Sequence, residues 1–449
     1  MSWIRAAALA ATLAAAAALP SAARPEPLTL DDALALAARQ SPDLATARAD
    51  AQSAAADYTA GVGGVLPRLD LSTSIGHQFN GPTSTINVNG FQVPFAAPAS
   101  DTGNYALQLQ LVQPLFDWAT FKEVARARWS DRAAARQYDE AALTVAFDVT
   151  QRFYEVVRAE RSLDVLEKTA VRSEDLVGRA DALFAAGRAP KSDTLQARVN
   201  LANDRIAAEA QRVRVTAART ALAQALGRSD RPELQVVAPA ALDPAAPAAP
   251  EPPPLDALRA TARDRRPAIA AQKALVAAAD AAASGARGRW FPTVSAQGSY
   301  AKQGTSFAST DGVYGDPSRA YFALAQLVLT WNLFEGRRTV AAERRADASL
   351  LRARAAQERT DALVAKELAD ARAAVVSLAR QVALATDAAT VASQGLGVAR
   401  DRLEAGLANQ LEVRDASLKV TQAELSLVQA RIDHAVARAD LARAAGGPY

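Results

Sequence analysis

Apolar residues recur every seven positions along two long stretches of the chain. One ladder runs from Val149 to Phe184 and the other from Leu368 to Leu403, and the second repeats the first at an offset of 219 positions. Sustained heptads are typical of long helices that pack knobs-into-holes, and repetition at a fixed offset indicates an internally duplicated architecture. The ladder positions are Val149, Val156, Leu163, Ala170, Val177 and Phe184, then Leu368, Val375, Val382, Ala389, Leu396 and Leu403.

Each ladder stops at a glycine, Gly187 or Gly406, which predicts that both long helices end and turn at equivalent places. A helix of roughly 70 residues is about 105 Å long at 1.5 Å per residue. The pattern therefore predicts two very long helical hairpins. We expect their helices at about 117–186 and 188–227 in the first half, and at about 334–405 and 407–445 in the second.

Between the helical stretches the apolar period changes from seven to two. Leu69, Leu71 and Ile75 alternate with polar residues, and Leu107 and Leu109 alternate with glutamines. Such alternation is typical of strands with one apolar and one polar face. We expect four strands, at about 67–80, 104–116, 292–301 and 319–331.

The segments that join these elements are polar or rich in proline. Residues 80–104 and 302–318 are rich in Gly, Ser, Asn or Thr and are predicted to form long exposed loops. Residues 232–254 form a Pro-rich connector, which we expect to run extended across the surface. The connector separates a first structural repeat, residues 24–231, from a second one, residues 255–449.

The N-terminus has the pattern of an export signal. A short basic start precedes an apolar run from Ala6 to Leu19, and small residues at Ser21, Ala22 and Ala23 mark a cleavage site. Residues 1–23 are therefore predicted to be a signal peptide. The expected fold class is mainly α with a small β part.

Composition and charge exclude several classes of function. The chain has 51 basic and 48 acidic residues, interspersed along the helices, which argues against a nucleic-acid partner. It has no cysteine, so a disulfide, a thiolate metal site and a lipid-modified N-terminal cysteine are ruled out. Its two histidines, His77 and His434, lie on different predicted elements. No enzymatic activity, metal or cofactor is predicted.

The duplicated order of helix, two strands and helical hairpin, behind a signal peptide, resembles the TolC family of outer-membrane efflux proteins. The turn segments, residues 179–193 and 400–415, carry most of the resemblance, which covers essentially the whole mature chain. The resemblance implies a homotrimer in which four strands per chain contribute to a twelve-stranded β-barrel in outer-membrane lipid. The helical hairpins would form a trimeric α-barrel that extends into the periplasm of a Gram-negative bacterium.

The resemblance also implies the function. The protein would be the exit duct of a tripartite efflux or type I secretion system, and would pass substrate from an inner-membrane RND or ABC pump and a periplasmic adaptor (membrane fusion protein) to the exterior. The cargo, whether drug, metal or polypeptide, stays open. The adaptor is expected to dock at the two turns, which comprise Gly187, Arg188 and Ala189 and then Gly406, Leu407 and Ala408.

Acidic residues that follow the turn glycines are candidates for a periplasmic gate. In the family such residues form rings, and here Glu412 and Asp415 follow Gly406 by six and nine positions. Asp193 follows Gly187 by six positions and would help to hold neighbouring helices shut. The competing interpretation is that Glu412 and Asp415 are ordinary solvated charges on a helix.

The sequence departs from the family pattern where the closed state is locked. Ala408 and Leu403 stand where a locking arginine and a locking tyrosine are expected. A latch in this protein must therefore use other partners, such as Arg188 or Arg402.

Two questions remain open at the level of sequence. A periplasmic coiled-coil adaptor or scaffold without a membrane barrel would explain the heptads, but not the four alternating segments. Trp118, Trp290 and Trp331 lie at strand ends, where they would either form an aromatic girdle or cap the strand–helix junctions.

Overall fold

The computed structural model describes residues 28–228, 234–242, 250–307, 312–316 and 321–447, so the predicted signal peptide lies outside the described residues. Long helices and a small antiparallel sheet confirm the predicted class, mainly α with a small β part. Nowhere in the described ranges does a helix combine the length and the apolar character needed to cross a membrane. The helices are α1 (Leu30–Gln40), α2 (Pro42–Gly63), α3 (Trp118–Ala185), α4 (Lys191–Ala225), α5 (Leu255–Arg265), α6 (Pro267–Arg287), α7 (Arg338–Glu404) and α8 (Gln410–Ala445). The strands are β1 (Arg68–Asn80), β2 (Thr83–Val88), β3 (Phe91–Ala97), β4 (Ser100–Phe116), β5 (Thr293–Gly304) and β6 (Tyr321–Thr330).

The chain divides into two compact units. The first, here called the hairpin unit, comprises the described residues within the ranges 1–48, 138–267 and 361–449. The second, here called the sheet unit, comprises Ala49–Gln137 and Ala268–Thr360. The turns with the candidate site residues all belong to the hairpin unit, and the four-stranded sheet belongs to the sheet unit.

The heptad ladders supply the interior of the hairpin unit. Val149 and Val156 of α3 are fully buried, and so are Leu368 and Val375 of α7. Nearer the turns, a second cluster joins α7 to α8, and burial of these side chains stabilises the second hairpin. The buried members of that cluster are Leu396, Ala399, Val413 and Val420.

Two equivalent close contacts mark the duplication. Gly227 and Gly446 follow the ends of α4 and α8 with φ of +70° and +89°. A Cβ at Gly227 would lie 2.5 Å from the carbonyl oxygen of Gln40, between α1 and α2. A Cβ at Gly446 would lie 2.8 Å from the backbone of Arg265, between α5 and α6. Only glycine can combine a left-handed backbone with so close a contact. In each half, therefore, the end of the return helix packs in the same way against the end of a short helix.

The halves differ at the residue that follows this contact. Ser41 in the first half corresponds to Arg266 in the second, and both side chains are buried. The Arg266 guanidinium pairs with the carboxylates of Glu140 at 2.6 Å and Glu367 at 3.4 Å, and also donates to the carbonyl of Arg443. A buried guanidinium needs such partners, because an unpaired buried charge is strongly destabilising.

The described part of the connector contacts the core of the hairpin unit. Of residues 232–254, those in the ranges 234–242 and 250–254 are described. Leu28 and Val236 form a parallel bridge in which the Leu28 N–H donates to the Gln235 carbonyl at 2.8 Å. Val236 and Leu242 pack against the buried core around Val149. Apolar residues therefore anchor this part of the connector to the core, and the extended course of the whole connector across the surface stays a prediction.

The sheet has the strand order β1-β4-β5-β6, with every pair antiparallel, so β1 and β6 are its edges. Directly paired residues share a face, and the register separates the sheet into an apolar and a mostly polar face. The apolar face includes Leu71, Ile75, Leu107, Leu109, Tyr300, Leu327 and Leu329. The opposite face includes Ser72, Ser74, Gln108, Gln110, Gln297, Ser299 and Gln326.

One lysine belongs to the apolar face, and its charge is covered. Lys302 is only 3% exposed, and its ammonium donates to the Asp316 carbonyl at 2.7 Å. The same segment brings the Tyr314 hydroxyl to within 3.1 Å of the Thr73 hydroxyl, and the Tyr314 ring packs on Phe307. The ammonium therefore points into polar backbone and not away from the sheet.

The prediction of a single long loop over residues 80–104 is wrong. Strands β2 and β3 form a separate two-stranded hairpin in this segment, and β4 already begins at Ser100. The turn is Asn89-Gly90, where both residues have positive φ and the Gly90 N–H donates to the Asn87 side chain at 2.9 Å. Asn-Gly is the strongest short hairpin signal, and the polar composition of the segment obscured it.

Several helix starts differ from the expected positions for a local reason. The helix expected from 188 begins at Lys191, because Pro190 is its N-cap residue. The helix expected from 334 begins at Arg338, after Gly336 and Arg337 adopt positive φ. The helix expected from 407 begins at Gln410. Strand β5 also continues to Gly304, into the segment predicted as the second loop, and residues 319–320 of the fourth expected strand lie outside the described ranges.

The tryptophans at the strand ends have two different roles. The Trp118 indole N–H donates to the Ser284 carbonyl at 3.2 Å, and its ring packs edge-on against Phe291. Trp118 is therefore a cap at a strand–helix junction. Trp290 and Trp331 stay about half exposed, so these two remain candidates for an aromatic girdle.

Candidate functional site

Both predicted docking turns are closed by the same backbone motif. The two turn glycines adopt left-handed φ angles of +70° and +73°. In each turn the glycine N–H and the following N–H bond back into the last turn of the long helix, as in a Schellman motif. The bonds are Gly187 N to Phe184 O at 2.9 Å, Arg188 N to Leu183 O at 2.9 Å, Gly406 N to Leu403 O at 3.0 Å, and Leu407 N to Arg402 O at 2.8 Å.

The turns are accessible in the single chain. A Cβ added at Gly187 or Gly406 would meet open space. Arg188 and Leu407 are exposed, and Leu407 is 72% exposed despite its apolar side chain.

The return helices begin differently. The Asn409 side chain caps α8 by accepting from the Glu412 N–H at 2.9 Å. Pro190 offers no side-chain cap to α4, where the Asp193 N–H bonds instead to the Pro190 carbonyl at 3.1 Å. The second turn therefore has a firmer start than the first.

The two acids predicted for the gate each have a basic partner in their own hairpin. A carboxylate oxygen of Glu412 lies 3.3 Å from Arg402, which also donates to the Leu407 carbonyl at 3.4 Å. Asp415 pairs with Lys419, one turn further along α8, at 2.7 Å. The structure thus joins Arg402, named from sequence as an alternative latch residue, to Glu412 across the second turn.

Asp193 lies in a cleft between the two hairpins. The cleft has a volume of about 180 Å³, and Asn409, Gln410 and Leu411 of the second hairpin line it together with Asp193. The structure therefore brings Asp193 close to the start of α8, although the two segments are far apart in sequence.

The sequence analysis missed a buried charge cluster beside this cleft. The Arg414 guanidinium donates to both carboxylate oxygens of Asp204, at 2.6 and 2.9 Å, and to the Ser173 hydroxyl at 2.8 Å. The Ser173 hydroxyl also donates to Asp204. Both charged side chains are only 12% exposed. Three helices, α3, α4 and α8, therefore meet at one ion pair. In the sequence, Arg414 has only the pattern of a solvated charge on a helix.

A second polar layer joins α3 to α8 further from the turns. The hydroxyls of Thr169 and Thr421 lie 2.8 Å apart, and both side chains are buried. Arg172 donates to the Thr421 hydroxyl at 3.1 Å and reaches the Glu424 carboxylate at 3.5 Å. These contacts fix the register of one hairpin against the other, because a buried polar group is costly unless it finds its partner.

The comparison with known proteins identifies the family. The family model described as outer membrane efflux protein matches residues 33–228 and 258–447, one segment in each half. The chain belongs to this family. It is also 29% identical to outer membrane protein OprJ of Pseudomonas aeruginosa over 356 residues, which cover 76% of this chain and 70% of OprJ.

Solved structures agree in fold. The crystal structure of a membrane protein from Pseudomonas aeruginosa matches with a TM-score of 0.78 and 24% identity, over 93% of each chain. The Campylobacter jejuni CmeC outer membrane channel matches with a TM-score of 0.79 and 16% identity, over 93% of this chain and 85% of that one.

The predicted family and function are thereby confirmed. The protein is an outer-membrane efflux channel, and a scaffold or adaptor is no longer a competing interpretation. Its family consists of channels and not of enzymes. Its location is the outer membrane, from which it extends into the periplasm.

Proposed function

We propose that three copies of this chain form the exit duct of a tripartite efflux or secretion system, and that the four-stranded sheet is one third of a twelve-stranded barrel. This proposal rests on the geometry of the four-stranded sheet. Its edges, β1 and β6, are unpaired within the described part of the chain, and one of its faces is apolar. In lipid, unpaired strand edges are not tolerated, so other copies must close them.

The spacing of aromatic residues supports a membrane position for the sheet. Tyr321 starts β6 and Trp331 follows its end, ten residues later. At about 3.3 Å per residue this is roughly 33 Å along the strand, or about 25 Å across a membrane at a tilt of roughly 40°. Aromatic girdles flank an apolar band of about this height in outer-membrane barrels.

The open turns support a docking role. A periplasmic adaptor would contact Gly187, Arg188 and Ala189 and the matching Gly406, Leu407 and Ala408, and would connect the duct to an inner-membrane RND or ABC pump. Small residues at a turn let a partner helix approach closely, and the exposed Leu407 adds an apolar contact.

The acids near the turns support a periplasmic gate. In a trimer, Glu412 and Asp415 would supply six carboxylates, and Asp193 would lie beside the start of α8 in each copy. A ring of carboxylates favours cations and lowers the passage of anions. The Arg402–Glu412 pair spans the second turn and would hold it closed.

The deciding experiment tests the sheet with two neighbouring substitutions. Leu327 lies on the apolar face, and Gln326 lies on the polar face. On the lipid-facing side of a barrel an arginine costs roughly 2–4 kcal/mol near the midplane, whereas a lumen position tolerates it. We expect Leu327→Arg to lower the yield of protein in the outer-membrane fraction severely, and Gln326→Arg to leave it nearly unchanged.

Light scattering in detergent completes the test. We expect the wild-type protein and Gln326→Arg to have the mass of a trimer, and the wild-type protein to conduct ions in planar bilayers. A stable monomer, or equal tolerance of both arginines, would contradict the proposed barrel.

A further inference from the structure

A pocket lies between α3 and α8, beside the connector, and belongs entirely to the hairpin unit. Its volume is about 200 Å³. An engineered protein cavity of roughly 150 Å³ binds benzene, so this pocket has room for an aromatic ring with a short arm. Its lining residues are separate from those of the turns and of the proposed gate.

The floor of the pocket is apolar and belongs to the core of the hairpin unit. Ile432 is only 2% exposed and is part of the buried core around Val149, against which Leu242 and Val428 also pack. The pocket is therefore preformed, and its floor can take an apolar body out of water. The apolar residues of the floor are Val165, Leu242, Leu427, Val428 and Ile432.

The two acidic residues at the rim of the pocket already have basic partners. The Asp164 carboxylate pairs with Lys168, one turn further along α3, at 2.8 Å. The Glu424 carboxylate lies 3.5 Å from Arg172. Neither acid is therefore left to neutralise another basic side chain of the rim.

Two arginines at the rim have no acidic partner. Within the residues that the structure describes, neither Arg161 nor Arg431 forms an ion pair. Arg431 is also partly buried. A guanidinium is a rigid fork of N–H donors that matches a carboxylate, so a partly buried one without a carboxylate indicates room for an anion.

The register between α3 and α8 is fixed on both sides of these arginines. Thr169 of α3 meets Thr421 of α8 at 2.8 Å, and Arg158 of α3 pairs with Asp433 of α8 at 2.6 Å. Nearly the same number of residues separates these two contacts on each helix. The two helices therefore run antiparallel in a constant register along the pocket.

This register sets Arg161 opposite Arg431 at one end of the pocket, and Lys168 opposite Glu424 at the other. The apolar floor lies between the two ends. Like charges that lie opposite each other repel, and an anion between them would relieve the repulsion and accept hydrogen bonds from both guanidiniums.

We propose that this pocket binds a small amphipathic anion, with its carboxylate between Arg161 and Arg431 and its apolar body on the floor. Such a ligand would join α3 of the first hairpin to α8 of the second and to Leu242 of the connector. The inference goes beyond the proposed duct and does not depend on the trimer, because every lining residue belongs to the same copy.

Isothermal titration calorimetry of the purified protein in a nonionic detergent tests the site. The probe is phenylbutyrate, and the control ligand is its uncharged amide, which has nearly the same shape. Titration into micelles without protein gives the background. We expect one phenylbutyrate per chain and an affinity for the amide at least about tenfold lower, because hydrogen bonds between charged groups are the stronger ones.

Substitutions at the two arginines locate the site. Arg161→Gln and Arg431→Gln should each lower the affinity for phenylbutyrate at least about tenfold and leave binding of the amide unchanged. The control is Arg214→Gln, which removes an exposed arginine of α4 outside this pocket and should bind phenylbutyrate as the wild-type protein does. Without ligand, the glutamine variants at Arg161 and Arg431 should melt at or above the wild-type temperature, because they relieve a repulsion.

Several results would overturn the site. These are no saturable binding of phenylbutyrate, equal affinities for the acid and the amide, or wild-type affinity in both rim variants. An equal loss of affinity in Arg214→Gln would show a general effect of charge and would also overturn it. The comparison of acid with amide uses the wild-type protein alone, so it decides even if a variant folds poorly.

Discussion

Arg414 and Asp204 are 210 positions apart in sequence, yet they form a two-pronged ion pair at 2.6 and 2.9 Å in the interior of the hairpin unit. The pair joins the return helices of the two hairpins, and Ser173 of α3 completes it. The pair lies beside the cleft that contains Asp193, so it links the two turn regions from the interior of the hairpin unit.

Removing one partner of this pair should destabilise the helical part. Arg414→Ala leaves the Asp204 carboxylate buried without its counter-charge, and the loss of one partner of a buried pair costs about 3–5 kcal/mol. We expect a clear fall in the melting temperature measured by circular dichroism. The double variant Arg414→Met with Asp204→Leu removes both charges and should regain most of the loss, because apolar packing then replaces the pair.

The exposed pair of Arg212 and Glu167 provides the matched control. Their 2.7 Å contact also joins α3 to α4, but both side chains are about half exposed. A surface ion pair contributes about 0–1 kcal/mol, so Arg212→Ala should change the melting temperature little. Equal effects of Arg212→Ala and Arg414→Ala would show that burial does not set the strength of the link.

The glycines of the turns and of the helix ends should respond differently to alanine. Gly406 and Gly227 have almost the same φ, +73° and +70°, so alanine meets a similar backbone penalty at both, about 1 kcal/mol. At Gly406 the new Cβ meets open space, whereas at Gly227 it lies 2.5 Å from a carbonyl oxygen. Gly406→Ala should therefore lower the melting temperature slightly, and Gly227→Ala should lower it much more.

A larger side chain at Gly406 tests adaptor docking independently of folding. Gly406→Trp should leave the trimer and its outer-membrane location intact, since the turn has room, but should abolish efflux by obstructing the proposed adaptor contact. Substrate accumulation in cells and the trimer yield are the two measurements. Full transport by this variant would show that the adaptor docks elsewhere.

Local signals in the sequence predicted most of the fold. The ladder through Val149 and Leu368 marked buried helix faces, and the alternation around Leu71 and Leu109 marked the strands. The hairpin around Asn89-Gly90 was predictable from its turn and was obscured by composition. The pairing of Arg414 with Asp204 was not predictable, because one sequence does not tell which distant helices meet. A charged residue at a buried heptad position, such as Asp204, was the only available hint.

The free energy of unfolding should depend on pH through His434. Burial, and secondarily the charge of Arg438, lower the pKa of this histidine below its ordinary value of 6.5. The unfolded chain then binds a proton that the folded chain rejects, so stability decreases as the pH falls from about 6.5 towards the folded-state pKa. At higher pH the residue is neutral in both states and has no such effect. Replacing it with glutamine should reduce the loss of melting temperature between pH 7.5 and pH 5.5 relative to the wild-type protein. An identical loss in both proteins would show that other groups cause it.

The proposed gate predicts an effect of charge on ion flow. If Glu412 and Asp415 line the constriction, the trimer concentrates six carboxylates there, and their field attracts cations from solution. In planar bilayers the pore should be cation-selective, and multivalent cations should block it from the periplasmic side. Glu412→Ala combined with Asp415→Ala should reduce selectivity and weaken the block together. Thermal melting should change little, because both acids pair only at the surface, with Arg402 and Lys419.

A matched pair of acids further from the turns distinguishes a gate from general surface charge. Glu167 and Glu174 of α3 are also acidic, and each is paired with an arginine of α4. Replacing both with alanine removes the same number of charges, so it should leave the blocking affinity unchanged if the constriction is at Glu412 and Asp415. The affinity of the blocking cation decides the question, because conductance alone also responds to how tightly the turns close. If the Glu412 and Asp415 variant kept the wild-type affinity, these two acids would be ordinary solvated charges and the pore would have its gate elsewhere.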